Sequence, residues 1–188
     1  VPAEHYLAAA GRYGAGEAHR DAGDDRQAIP HFEAASRSPD DDPRGYGFAF
    51  TNGMQASLVE VDTDTGFVKL LKHWCVEDCG TVINPMLVDE QVRGGIVQGI
   101  GAALYEHCLY SPEGQLLNGN LADYLVPMAG EMPDIVVGHV STPTRTSELG
   151  AKGAGEAGTA GAPGAVMNAI NDALAPFGAR VTAQPLLA

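Results

Sequence analysis

The sequence predicts an α+β fold of mixed β-hairpins and glycine-rich helices. Three observations carry this. Apolar residues alternate with polar ones on both sides of Asp62-Thr-Asp-Thr-Gly66, and period two around a turn is the pattern of a hairpin. Asn84-Pro85 is followed by Leu87, Val88, Val92, Ile96, Ile100 and Leu104, close to the period of a helix. A β-branched run at 135–140 and a second apolar stripe through Val166, Ile170, Ala173, Leu174 and Phe177 complete the pattern.

Taken in order, residues 1–45 are polar, acidic and weakly periodic. Asp21-Ala-Gly-Asp-Asp25 and Pro39-Asp-Asp-Asp-Pro43 are loop-like, and 31–35 is the one short strand candidate. The expectation is a peripheral, partly extended acidic segment over 1–45 and one domain over 46–188. Within the domain, 48–61 and 67–76 form the two hairpin strands, with Gly66 suited to a positive φ in the turn. Asn84 caps the next helix and Pro85 takes its first position. That helix carries Gly94, Gly95, Gly99 and Gly101, each costing about 0.8–1.0 kcal/mol against Ala. Such a helix needs close approach on its glycine side, by another helix or by a flat ligand. Ser111-Pro-Glu-Gly114 is a turn, and 135–140 is a strand. Pro163 is expected to start the last helix, which Gly178 stops.

The net charge of −13 excludes the basic face that a nucleic-acid binder needs and opposes an anionic membrane surface. No run of 18 apolar residues occurs, so no membrane partner is expected. Cys75, Cys79 and Cys108 are odd in number and lack paired spacing. They read as small buried thiols of a reducing, cytoplasmic protein. The six His are scattered, and no zinc pattern is present.

The most informative stretch is Leu149-Gly-Ala-Lys-Gly-Ala-Gly-Glu-Ala-Gly-Thr-Ala-Gly-Ala-Pro163. Small residues let a backbone approach a ligand and present its N–H groups. Glu156 is the lone carboxylate there, and burial without a cationic partner raises a carboxylate pKa toward that of a useful base. Lys152 is one of only three lysines, and a solvated charge and an anion-binding role are about evenly matched for it. Gly153-Ala-Gly-Glu-Ala-Gly158 formally fits a dinucleotide fingerprint, but no strand leads directly into it and the helix is expected to begin only near Pro163. Taken singly, Glu156 reads as a carboxylate favoured by a helix dipole, and Gln98 as a buried amide satisfied by backbone.

Together the features resemble a known family. Glu77-Asp-Cys-Gly-Thr-Val-Ile-Asn-Pro85, Gln91-Val-Arg-Gly-Gly-Ile-Val-Gln-Gly-Ile-Gly101, Asp123-Tyr124 and Lys152-Gly-Ala-Gly-Glu-Ala-Gly158 occur in this order. They are similar to the C-terminal part of the molybdenum-binding large subunit of the xanthine dehydrogenase/aldehyde oxidase family, over about residues 46–186. The resemblance implies a C-terminal molybdenum-cofactor-binding domain. It also implies a molybdenum–pyranopterin, with or without a cytosine nucleotide, whose metal takes no ligand from the protein. Glu156 would be the general base on a molybdenum-bound hydroxide. Gln98, Gly95, Lys152, Gly153, Ala154 and Gly155 would contact the cofactor.

The implied reaction oxidises an aldehyde or an N-heteroaromatic carbon with water as oxygen source. Large subunits of this family are several times longer. The resemblance therefore implies a second molybdopterin-binding chain that completes the pocket, with a [2Fe–2S] subunit and an FAD subunit alongside. The other open reading is a non-catalytic structural or assembly subunit of such a complex.

Overall fold

The structure, a computed structural model, describes residues 49–147 and 149–186. One compact unit holds Phe50–Thr144 with Leu149–Ala188. The acidic segment 1–45 and its strand candidate at 31–35 lie outside the described residues.

The hairpin forms where alternation placed it. Strand β1 spans Asn52–Val61 and β2 spans Val68–Asp78. They pair antiparallel from Asn52↔Asp78 to Val61↔Val68, and Gly66 sits in the turn at φ 76°. The register slips between Leu58 and Val59, which face Lys72 and Leu70. Leu71 is thus the extra residue of a bulge. It lets Leu70 and His73, three positions apart, both face inward and be buried. Strand β3, Ile135–His139, adds to β2 in parallel from His73↔Ile135, giving a mixed sheet of order β1-β2-β3.

Helix α1, Pro85–Leu104, starts as expected, with the Asn84 side chain accepting from the Leu87 N–H at 3.3 Å. Helix α2 corrects the sequence reading. It runs over Ala157–Leu174, with Pro163 inside it rather than at its start. A proline has no N–H, so the Thr159 carbonyl loses its bond one turn on. The adjacent helix tolerates this because a Cβ on Gly99 would lie 2.7 Å from that oxygen and 2.9 Å from Pro163 Cδ. With no Cβ there, α1 comes up against the opened turn. Gly178, at φ 67°, ends a short 3-10 turn that follows α2.

The glycine face of α1 meets a helix. A Cβ on Gly95 would lie 3.0 Å from Thr159 Oγ1, and one on Gly158 would lie 2.2 Å from the Val92 carbonyl. Small residues on both helices bring the backbones together. Around this seam Val92, Ile96, Ile100, Val166 and Ile170 lose essentially all their exposure, each burial contributing about 1.5–3 kcal/mol. Gly94 has nothing within 4 Å, so this glycine serves no close approach. Among the described residues, no helix is long and apolar enough to cross a membrane.

Candidate active site

Two tethers place the small-residue loop that precedes α2. Its first part pairs with the turn after β2: Lys152 N donates to the Cys79 carbonyl at 2.8 Å, and Thr81 N donates to the Gly150 carbonyl at 3.0 Å. Gly80 and Gly150 both have positive φ, 67° and 72°, which this crossing requires. Its second part hangs from α1, where Gln91 Nε2 donates to the Gly155 carbonyl at 2.7 Å. The first turn of α2 is held from the sheet by Gln55, whose Nε2 donates to the Gly158 carbonyl at 2.9 Å.

Glu156 occupies the N-cap position of α2, yet its side chain makes no capping hydrogen bond. Its carboxylate has no hydrogen bond or ion pair to any described residue. It is exposed rather than buried, contrary to the expectation of a dry loop around it. The N–H groups of Gly153, Ala154, Gly155 and Glu156 likewise find no acceptor among the described residues. A row of free amides leading into a helix suits anionic or strongly accepting groups. A Cβ on Gly155 would meet nothing within 4 Å, so space is open over the loop.

Glu156 lines a cavity of about 300 Å³. Glu77 of β2 lines it too, together with Thr51, Asn52, Gly53 and Gln55 on the β1 side. The α2 wall consists of small residues, Ala157, Ala160 and Gly161. Sequence reasoning missed Glu77. Alternation alone does not say which face of β2 is inward, and the register signal is Gly53 standing opposite Glu77.

The other expected site residues are distributed as follows. Gly153 and Gly155 are exposed beside Glu156, with Ala154 half-buried. Gly95 is buried beneath α2 and serves helix packing. Gln98 is exposed rather than buried, and lies on the same strip of α1 as Gln91 and Gly95, because positions seven apart recur on one face. It is not a lining residue of the cavity.

Lys152 is no free anion-binding cation. Its Nζ lies 2.9 Å from Asp78 Oδ2 and 2.7 Å from Thr142 Oγ1, with the Lys and Asp side chains only 11% and 7% exposed. Asp78 also accepts from the Thr142 hydroxyl, the Thr142 N–H and the Gly80 N–H. The Thr142 hydroxyl first, and Lys152 next, hold its carboxyl well below the usual carboxylate range. This buried cluster ties β2, the segment after β3 and the glycine-rich loop together.

Of the thiols, Cys75 and Cys79 are buried, but Cys108 is exposed, contrary to expectation. Burial, then the bond to Glu77, pushes the Cys75 thiol up. Among the described residues, no group of three or more His, Cys, Asp or Glu is arranged to hold a metal ion.

Fold and site define a cofactor-cradling domain: free backbone amides, open space over glycine and an unengaged carboxylate at a cavity. The family described as molybdopterin cofactor-binding domain matches residues 7–133. This carries the likeness further toward the N-terminus than the motifs from residue 46 do, and ends before the Glu156 loop. The nicotine 6-hydroxylase large subunit of Paenarthrobacter nicotinovorans is 48% identical over 129 residues, 69% of this chain and 16% of that protein. The carbon monoxide dehydrogenase large chain of Afipia carboxidovorans is 34% identical over 134 residues, 71% of this chain and 16% of that one. Among solved structures, quinoline 2-oxidoreductase from Pseudomonas putida 86 superposes with a TM-score of 0.70 at 43% identity, over 73% of this chain and 17% of that chain. The chain belongs to the molybdopterin cofactor-binding family, in the large subunits of xanthine dehydrogenase/aldehyde oxidase type molybdenum oxidoreductases. It spans about 16% of the length of the curated relatives it matches.

Proposed function

We propose that this chain is a catalytic fragment of a molybdenum hydroxylase that oxidises an N-heteroaromatic carbon with water as oxygen source. The observation that carries this is the Glu156 carboxylate, which reaches a ligand-sized cavity from a helix N-cap position without being used as a cap. The residues around it fit a molybdenum–pyranopterin. Unsatisfied amides from Gly153 to Glu156 offer donors, and the open space over Gly155 admits a flat group.

When bound, that cofactor supplies the two-electron oxidation and activates water. The chain's own part is to hold and to move a proton. The N–H groups of Gly153, Ala154 and Gly155 bind the accepting groups of the cofactor. Gln91 keeps the loop from shifting by holding the Gly155 carbonyl. Gln98 offers an uncommitted amide from the α1 strip. A Glu156 carboxylate oxygen accepts the proton of the attacking water, as a positioned base does.

The names of two relatives, nicotine 6-hydroxylase and quinoline 2-oxidoreductase, favour an N-heteroaromatic over an aldehyde and over carbon monoxide. A second molybdopterin-binding chain completes the pocket in this reading, with iron–sulfur and FAD subunits in a cytoplasmic complex. Lys152 is left as a positioning residue for the loop.

Glu156→Gln tests the proposal in the assembled enzyme. The expected result is full molybdenum content and a loss of turnover of about 10²–10⁴-fold. Turnover that survives with cofactor retained would overturn the base assignment and leave the structural-subunit reading.

A further inference from the structure

We propose that Glu77 is a second binding group of the Glu156 cavity, and that it receives an N–H donor from a planar N-heterocycle. The inference rests on the reading of Glu156 as the site. Glu77 is only 2% exposed. Its Oε1 accepts from the Cys75 thiol at 3.1 Å, a weak donor. Its Oε2 has no donor among the described residues, and the residue lines the cavity. Only one oxygen of this carboxylate is engaged by the described residues, and that by a weak donor, so a ligand entering the cavity with an N–H would complete its hydrogen bonding.

The other polar atoms of the cavity point the same way. Gln55 has spent its amide nitrogen on Gly158 and its oxygen on His73. Thr51 has spent its hydroxyl proton on the Asp78 carbonyl. Among the described residues no Lys, Arg or His lines the space, and Lys152 is committed to Asp78. With Glu77 and Glu156 on its wall and the Asn52 amide as its one uncommitted side-chain donor, the described part of the cavity is dominated by acceptors and offers an anion no side-chain cation. Its α2 wall of Ala and Gly leaves room for a flat ring. Gly53 frames the carboxylate, since a Cβ there would fall 2.3 Å from Glu77 Oε2. The donor belongs either to the aminopyrimidine edge of the pterin or to a substrate ring that carries an amino group or a ring N–H, since a neutral pyridine-type nitrogen only accepts.

Glu77→Gln in the assembled enzyme distinguishes these sources through two readouts. Molybdenum per chain is measured by metal analysis, and the dissociation constants of 2-aminopyridine and 2-methylpyridine are measured by equilibrium binding. For a substrate-side donor, molybdenum is retained, and a preference of roughly tenfold for 2-aminopyridine in the parent enzyme falls to near one. For a cofactor-side donor, molybdenum per chain falls severalfold. Unchanged metal content together with an unchanged binding ratio would overturn the proposal. Should Glu77→Gln fail to fold, Glu77→Asp withdraws the carboxylate by one methylene and is read by the same two measurements. Glu156→Gln separates this from the parent reading: it removes turnover while the molybdenum content stays full. Turnover that survives it counts against the base assignment, whatever Glu77 does.

Discussion

His73 is neutral in this fold because it is fully buried with no counter-charge beside it. Its partners fix the tautomer. The Gly158 carbonyl can only accept, so Gln55 turns its amide nitrogen to it and its oxygen to His73. His73 Nε2 then carries the proton, and Ser57 donates to Nδ1 at 2.9 Å. Desolvation lowers the His73 pKa to about 4, against roughly 6.5 in an unfolded chain. The folded state therefore binds fewer protons than the unfolded one below pH 6.5. The stability this represents is intact above 6.5 and is lost as pH falls toward 4. The loss is on the order of 3 kcal/mol. Urea denaturation between pH 7 and 4 is expected to show it, and His73→Gln is expected to flatten the dependence. An equally steep fall in the variant would assign the effect to other groups.

At the scale of elements, the α1–α2 seam separates glycines that are needed from one that is not. Gly158→Ala drives a methyl to within 2.2 Å of the Val92 carbonyl and 2.9 Å of Ile96 N. Both are helix backbone and cannot yield, so a cost of about 1–3 kcal/mol is expected. Gly94→Ala meets nothing within 4 Å and gains about 0.8–1.0 kcal/mol of helix propensity. Thermal unfolding of the two variants should therefore move in opposite directions. A stable Gly158→Ala protein would show that the seam is looser than its contacts indicate.

The same seam explains what sequence makes legible. The hairpin and the start of α1 rest on local chemistry, alternation about Gly66 and an Asn-Pro cap, and they form where that chemistry puts them. The first turn and a half of α2 rests on α1 and Gln55, partners distant in sequence, so its Ala/Gly run carries no local helical signature and Pro163 looks like a start. Glu156 is legible as a lone carboxylate among small residues. Glu77 and the Lys152–Asp78 pair become visible only once β2 is in register and the loop crosses it.

For the whole molecule, one face of the sheet is covered and the other is not. Gln55, Ser57, Val59 and Val61 turn inward along β1, while Met54 and Leu58 on the opposite face are 78% and 49% exposed. Trp74 and Val76 of β2 and Val136 of β3 extend this outer face, with Trp74 in register between Ala56 and Val136. A continuous apolar sheet surface is a contact surface more often than a solvent face. The domain also accounts for only about 16% of the length of its curated relatives. In the proposed assembly, the chain that completes the large subunit is expected to cover this face. Trp74 is the only tryptophan, and it stands half-exposed with Lys72 Nζ 5.6 Å from its ring centre, so it reports directly. Acrylamide is expected to quench Trp74 readily in the isolated chain and several times less in the assembled complex, whose other tryptophans are replaced by phenylalanine. Trp74→Phe in that background should abolish the signal. Equal quenching in both states would place the completing chain on another face and leave this one open to water.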